Sequence, residues 1–191
     1  FAAHLLPPIV AKLRSVAPQI EVDIVAANTV SDLLQREADI AVRNVRPDQP
    51  DLIARLIHDS SGRFYASKSY IQKRGLPRNF EDFKNHEFVS FGNVDQMLTY
   101  FQAFGLDLRA EQFKVGSANS LVAWEMVKQG LGIAPMSVDV ARASPELEML
   151  MPDGDPVMFP TWLVTHRELH TSRRIRLVFD LLAEELPKLM A

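Results

Sequence analysis

With 191 residues, the chain is long enough for one large domain or two small ones with a substantial core. Its 47% hydrophobic and 24% charged residues are ordinary for a soluble globular protein, and a net charge of -3 leaves no electrostatic footprint for nucleic acid. The absence of cysteine excludes disulfides, iron–sulfur clusters, cysteine zinc sites and thiol nucleophiles, and fits a reducing compartment.

Phe1, Leu5, Ile9, Leu13 and Val16 fall at helical spacing, and Pro7 and Pro8 are tolerable only in a first turn, so the pattern predicts a helix over 8–16. Pro18 ends it. Ile20, Val22 and Ile24 alternate with polar residues and predict a strand. A short helix is expected over 30–36 with Asn28 or Thr29 as its cap, then a buried strand over 39–43. Residues 52–57 and 63–66 read as extended, and 67–73 as a helix stopped by Gly75. A polar loop over 78–86 leads to a strand at 88–91 and a helix over 96–104. Residues 112–115 read as a strand, 137–143 as a helix, 152–156 as a turn, 162–165 as a strand and 172–186 as an amphipathic helix. No repeat, low-complexity tract or apolar run of membrane-spanning length interrupts this series.

One unit stands out. From Ser117 to Met136, Asn119 or Ser120 caps a helix, Gly130 stops it, and Gly132 leads into the short buried strand Ile133-Ala134-Pro135. A helix start that follows free hydroxyls and amides can hold a small, often anionic, ligand. The whole chain reads as two α/β units in series, and two such lobes joined by crossing strands would leave a cleft between them.

The ordered set of segments carries a resemblance. It comprises the proline-bearing first helix, Asp39-Ile40-Ala41-Val42-Arg43, Phe64 to Ile71, Gly75-Leu76-Pro77, Asp82-Phe83 with His86, the Asn119 to Pro135 run, and Leu163-Val164-Thr165-His166-Arg167 before a Ser-Arg-Arg helix. Together they resemble the effector-binding domain of LysR-type transcriptional regulators, over nearly the whole chain. The resemblance implies an α/β, two-lobe, type 2 periplasmic-binding-protein-like fold with crossover strands. Lobe I is expected over 1–70 plus 167–191, and lobe II over 71–166. A small effector would sit between the lobes and alter how a separate winged helix-turn-helix domain holds DNA. The chain opens on Phe1 rather than Met, so we read it as a fragment or processed chain, with that DNA-binding domain expected ahead of it. The family's usual first strand is also expected there, unless the register of the first helix is shifted.

The resemblance also implies which residues face the cleft. Asn28 and Thr29 offer a hydroxyl and free amides, or a plain cap. Arg43 would bind a carboxylate in bidentate fashion, or pair with Asp39, Asp48 or Asp51. Phe91 and Gly92 end a strand of the second lobe, where Phe91 stacks on an effector or fills the core. Ser117, Asn119 and Ser120 are the leading candidates, Met136 a pocket wall, and His166 a titratable group on the returning strand or a surface histidine. Trp124 reads as core or dimer interface before pocket. Leu6, Val10 and Leu13 fit an interface stripe as well as a monomer core.

Enzyme and cofactor signals are weak. His166 and His170 are four apart but straddle a strand end with no HExxH carboxylate, and Asp153-Gly154-Asp155 lacks the other calcium-loop ligands. Gly130 and Gly132 form no phosphate loop, and no Gly-x-Ser-x-Gly occurs. Arg173, Arg174 and Arg176 read as solvated surface. We therefore expect no catalysis, metal or cofactor. The expected partners are a small effector, such as an organic anion with amino acids and sugars left open, and a second copy of the chain, with tetramers in the full-length protein. DNA is expected only through the preceding domain, in the cytoplasm and without a membrane. The competing readings are a transporter's solute-binding protein and an enzyme on the same scaffold.

Overall fold

The computed structural model describes residues 1–26 and 38–190. The chain divides into Phe1–Ser61 with Met158–Ala191, and Gly62–Val157. We call these the first and second units.

In the first unit, α1 spans Leu6–Val16, with both prolines in its first turn, where no intrahelical N–H bond is lost. Leu5, Ile9, Leu13 and Ala17 form its buried stripe. Leu13 packs with Ala17 and Ile20, so that part of the expected interface stripe is core. The stripe is covered by the C-terminal helix, numbered α7 below, which spans Arg173–Met190 and buries Ile175, Phe179, Ala183, Leu186 and Met190. That helix continues past Pro187, beyond its expected end at 186. Proline removes one N–H near the helix terminus, while Leu186 and Met190 keep the last turn pinned to the core.

Strand β1 (Ile40–Arg43) pairs antiparallel with the late strand β7 (Val157–His166), from Ile40↔Thr165 to Arg43↔Trp162. β7 also neighbours β2 (Leu52–Ser67), and Ser60 and Thr161 share a buried hydroxyl–hydroxyl bond of 2.7 Å there. β2 is one 16-residue strand where two extended pieces were expected. The expected strand at Ile20–Ile24 is absent: residues 20–26 pair with no strand among the described residues, and Val22 and Ile24 are exposed. Alternation supplies two faces, but a strand also needs a neighbouring edge for its backbone N–H and C=O groups. The helix expected over 30–36 lies outside the described residues.

The second unit begins within β2. Ser67 caps α2 (Lys68–Arg74), its hydroxyl accepting from Tyr70 N at 3.1 Å, and Gly75 at φ 87° ends the helix. A 3-10 turn over Asp82–Asn85 precedes β3 (Phe88–Ser90) and α3 (Val94–Ala103). Then come β4 (Phe113–Gly116), α4 (Ser120–Lys128), β5 (Ala134–Ser137), the single turn α5 (Val138–Ala141) and β6 (Leu147–Met149), a strand the sequence reading did not place. The short helix α6 (Arg167–His170), also unplaced, links β7 to α7. β2 lies between β5 and β6, where Tyr65 faces Ala134 on one side and Met149 on the other. β3 runs parallel to β4, with a further parallel bridge from Phe88 to Ile133. Phe64, Phe83 and Phe88 form the aromatic centre of this unit, with centroids 5.1 Å apart for Phe64–Phe83 and 5.3 Å for Phe83–Phe88.

Candidate functional site

Parallel strands put their C-terminal ends, and the starts of the helices that follow, on one edge. Here β3 and β4 end side by side at the pair Ser90↔Gly116, and the loops 91–93 and 117–119 leave that edge together. Gly116 is required there: a Cβ would stand 1.7 Å from Ser90 Oγ and 2.7 Å from Ser90 O. The close approach lets Ser117 N donate to Ser90 O at 3.0 Å.

Each loop closes with an asparagine cap. Asn93 Oδ1 accepts from Gln96 N at 3.0 Å to start α3, and Asn119 Oδ1 accepts from Leu121 N at 2.9 Å to start α4. Ser117 Oγ accepts from Asn119 N at 3.1 Å, which holds the turn in shape. Beside it lies an open depression of about 280 Å³, lined by Ser90, Gly92, Lys114, Gly116, Ser117 and Ala118 among others. Two helix N-termini, backbone amides, hydroxyls and one ammonium group favour a small ligand with anionic oxygens.

The structure thus gathers six of the expected site residues on one edge of the second unit. Gly92 and Ser117 line the depression. Asn119 and Ser120 open α4. Phe91 follows β3 directly, Met136 lies on β5, whose preceding Ile133 bridges parallel to Phe88, and both are half-buried against the cluster of Tyr65, Val89, Trp124 and Val127. Trp124 is core: it is 2% exposed, donates to Ser144 Oγ at 3.2 Å and sits edge-on to Tyr65. Ser90, Lys114, Gly116 and Ala118 were not singled out in the sequence. Their signal was available, since each flanks the end of a strand that enters a capped helix.

Arg43 and His166 belong to the first unit. Arg43 ends β1 opposite Trp162, whereas His166 ends β7 beyond Thr165, the partner of Ile40. Antiparallel pairing therefore separates the two by four residue steps along β7, ~13 Å at about 3.3 Å per residue. Asn28 and Thr29 lie outside the described residues.

Tyr70, His86 and Gln112, buried elsewhere in the second unit, hold the chain together. Tyr70 O–H lies 3.2 Å from His86 Nδ1 and accepts from Glu87 N at 2.9 Å. Gln112 Nε2 donates to Phe83 O at 2.7 Å and His86 O at 3.0 Å. Burial pushes the His86 imidazole below its ordinary pKa of 6.5, so it is held neutral. Among the described residues, no three His, Asp or Glu side chains are grouped to hold a metal, and no helix is long and apolar enough to cross a membrane.

Residues 1–187 match the LysR substrate binding domain family. The chain is 28% identical to the HTH-type transcriptional regulator CrgA of Neisseria meningitidis across 96% of its own length and 63% of that protein's. It therefore spans somewhat under two thirds of that relative. Its fold superposes on the CrgA regulatory domain with a TM-score of 0.83 at 27% identity, covering 96% of this chain and 92% of that one. Full-length AphB of Vibrio cholerae, a virulence activator, shares the fold at a TM-score of 0.72 and 18% identity, with all of this chain covering 65% of that one.

Proposed function

Since the chain belongs to the LysR substrate binding domain family, we propose that its effector is a small organic anion held at the β3–β4 edge. The chain is the effector-binding domain of a LysR-type regulator. A transporter's solute-binding protein is not the favoured reading. The observation that carries the site is the capped turn Ser117–Asn119 beside Ser90 and Gly92, which turns the α4 N-terminus toward an open depression. Lys114 supplies a cation that makes an anion preferable to a neutral solute. The whole regulator would bind DNA through a domain outside this chain, act in the cytoplasm, and use effector binding to shift the population of its DNA-bound states. Catalysis forms no part of this reading.

Self-association is proposed through α1 and α4. Leu6 and Val10 are only half-buried on α1, and Val122 is exposed on α4. A domain that stays monomeric by light scattering at high concentration removes that part of the reading.

A thermal-shift screen of small carboxylates tests the site. At least one should raise the melting temperature, and Asn119→Ala and Lys114→Gln should each weaken that rise. A full rise in both variants removes the site, and no rise with any carboxylate removes the ligand class.

A further inference from the structure

Trp162 Nε1 is buried and donates to nothing. Indole N–H is a donor only, and buried polar groups in folded proteins are overwhelmingly paired. The nearby polar atoms of the sheet are already engaged: Thr161 Oγ1 bonds Ser60 Oγ at 2.7 Å and accepts from Asn44 Nδ2 at 3.3 Å. In an antiparallel pair, directly opposed residues project to the same face while their neighbours project to the other. Trp162 therefore shares its face with Arg43, its register partner, and Thr161 points away.

A cation stands beside this ring. The Arg46 guanidinium carbon stands 5.5 Å from the Trp162 ring centroid, a cation–π distance. An orphan donor beside a guanidinium group favours, as partner, an oxygen with lone pairs and negative charge. We propose that Trp162 Nε1, with Arg46 beside it, is a carboxylate-accepting site in the first unit. This rests on reading the chain as an effector sensor, and it adds two residues, Trp162 and Arg46, that the family resemblance did not bring forward.

The chain has two tryptophans, so a ¹H–¹⁵N spectrum carries two indole signals. Trp124 is already bonded to Ser144 and serves as the internal control. Acetate, benzoate and succinate are titrated against chloride at matched ionic strength, with Trp162→Phe used for assignment. At least one carboxylate should move the Trp162 indole signal saturably while the Trp124 signal stays. Arg46→Gln, at an exposed position, should weaken that response about tenfold, as expected for a charge-assisted contact. A Trp162 signal that ignores all three carboxylates, follows chloride equally, or titrates identically in Arg46→Gln overturns the proposal. The Ser117 and Ala118 amides report separately on the second-unit depression. If they move while Trp162 does not, this inference fails and the second-unit site stands. If Trp162 alone moves, the inference stands and that site fails.

Discussion

The two units are specified over different distances along the chain. In the second, helices start on caps two or three residues away: Ser67 for α2, Asn93 for α3, Asn119 for α4 and Ser137 for α5. In the first, α1 has no side-chain cap. Its stripe is closed by α7, and Lys12 meets Glu185 at 2.9 Å across 173 residues of sequence. β1 likewise takes its register from β7, more than a hundred residues later. Local hydrogen bonds preorganise a polar turn cheaply, which suits the β3–β4 edge to ligand capture. Long-range packing makes a stable frame, within which the Trp162 indole N–H has no partner.

The contrast can be broken at several strengths. Phe83→Ala removes the ring at the aromatic centre of the second unit and should cost about 4 kcal/mol in denaturant unfolding. Leu163→Ala, fully buried in the first unit, should cost about 3 kcal/mol. A loss under about 1 kcal/mol in either would show that the assigned core is not the core. Gly116→Ala should cost about 2 kcal/mol, because the methyl meets Ser90 backbone as well as its hydroxyl, and a neutral result would refute the close approach of β3 and β4. Asn119→Ala should cost about 1 kcal/mol, and no cap loss of that kind is available at Leu5 of α1.

Acid should separate the units most gently. His86 has a lowered folded pKa, so the unfolded chain binds more protons below pH 6.5, and stability falls as pH drops through that value. His86→Gln should flatten that first decline. Glu185 is held down from 4.5 to about 2 by Lys188 and Lys12. Its contribution is present above about pH 4.5 and fades between that and 2, and salt should shrink it because the pair is at the surface. Urea midpoints for Glu185→Gln that fall with acid as steeply as wild type would remove this assignment.

Much of the candidate edge was legible because its signals are short. Asn119 before an apolar helix, Gly130 at φ 79° after it, and Ser67 three residues ahead of Tyr70 are contacts a reader can find within one turn. Ser90 and Lys114 carry a sequence signal, a strand end entering a capped helix, but what sets them apart from other strand ends is that β3 and β4 lie side by side. Strand β6 escaped because Leu147–Met149 is extended only by pairing with β2.

Residue order by itself therefore determined the caps and stops of α2 and α4 and which stripes are apolar, since these rest on bonds and spacings within a few residues, and the order of segments along the chain carried the family resemblance. Only the tertiary structure decided that Ile20–Ile24 pairs with nothing described, that Leu13 is core, and that Arg43 faces Trp162 instead of His166. Those outcomes turn on which distant edge reaches a segment first, and periodicity carries no information about that.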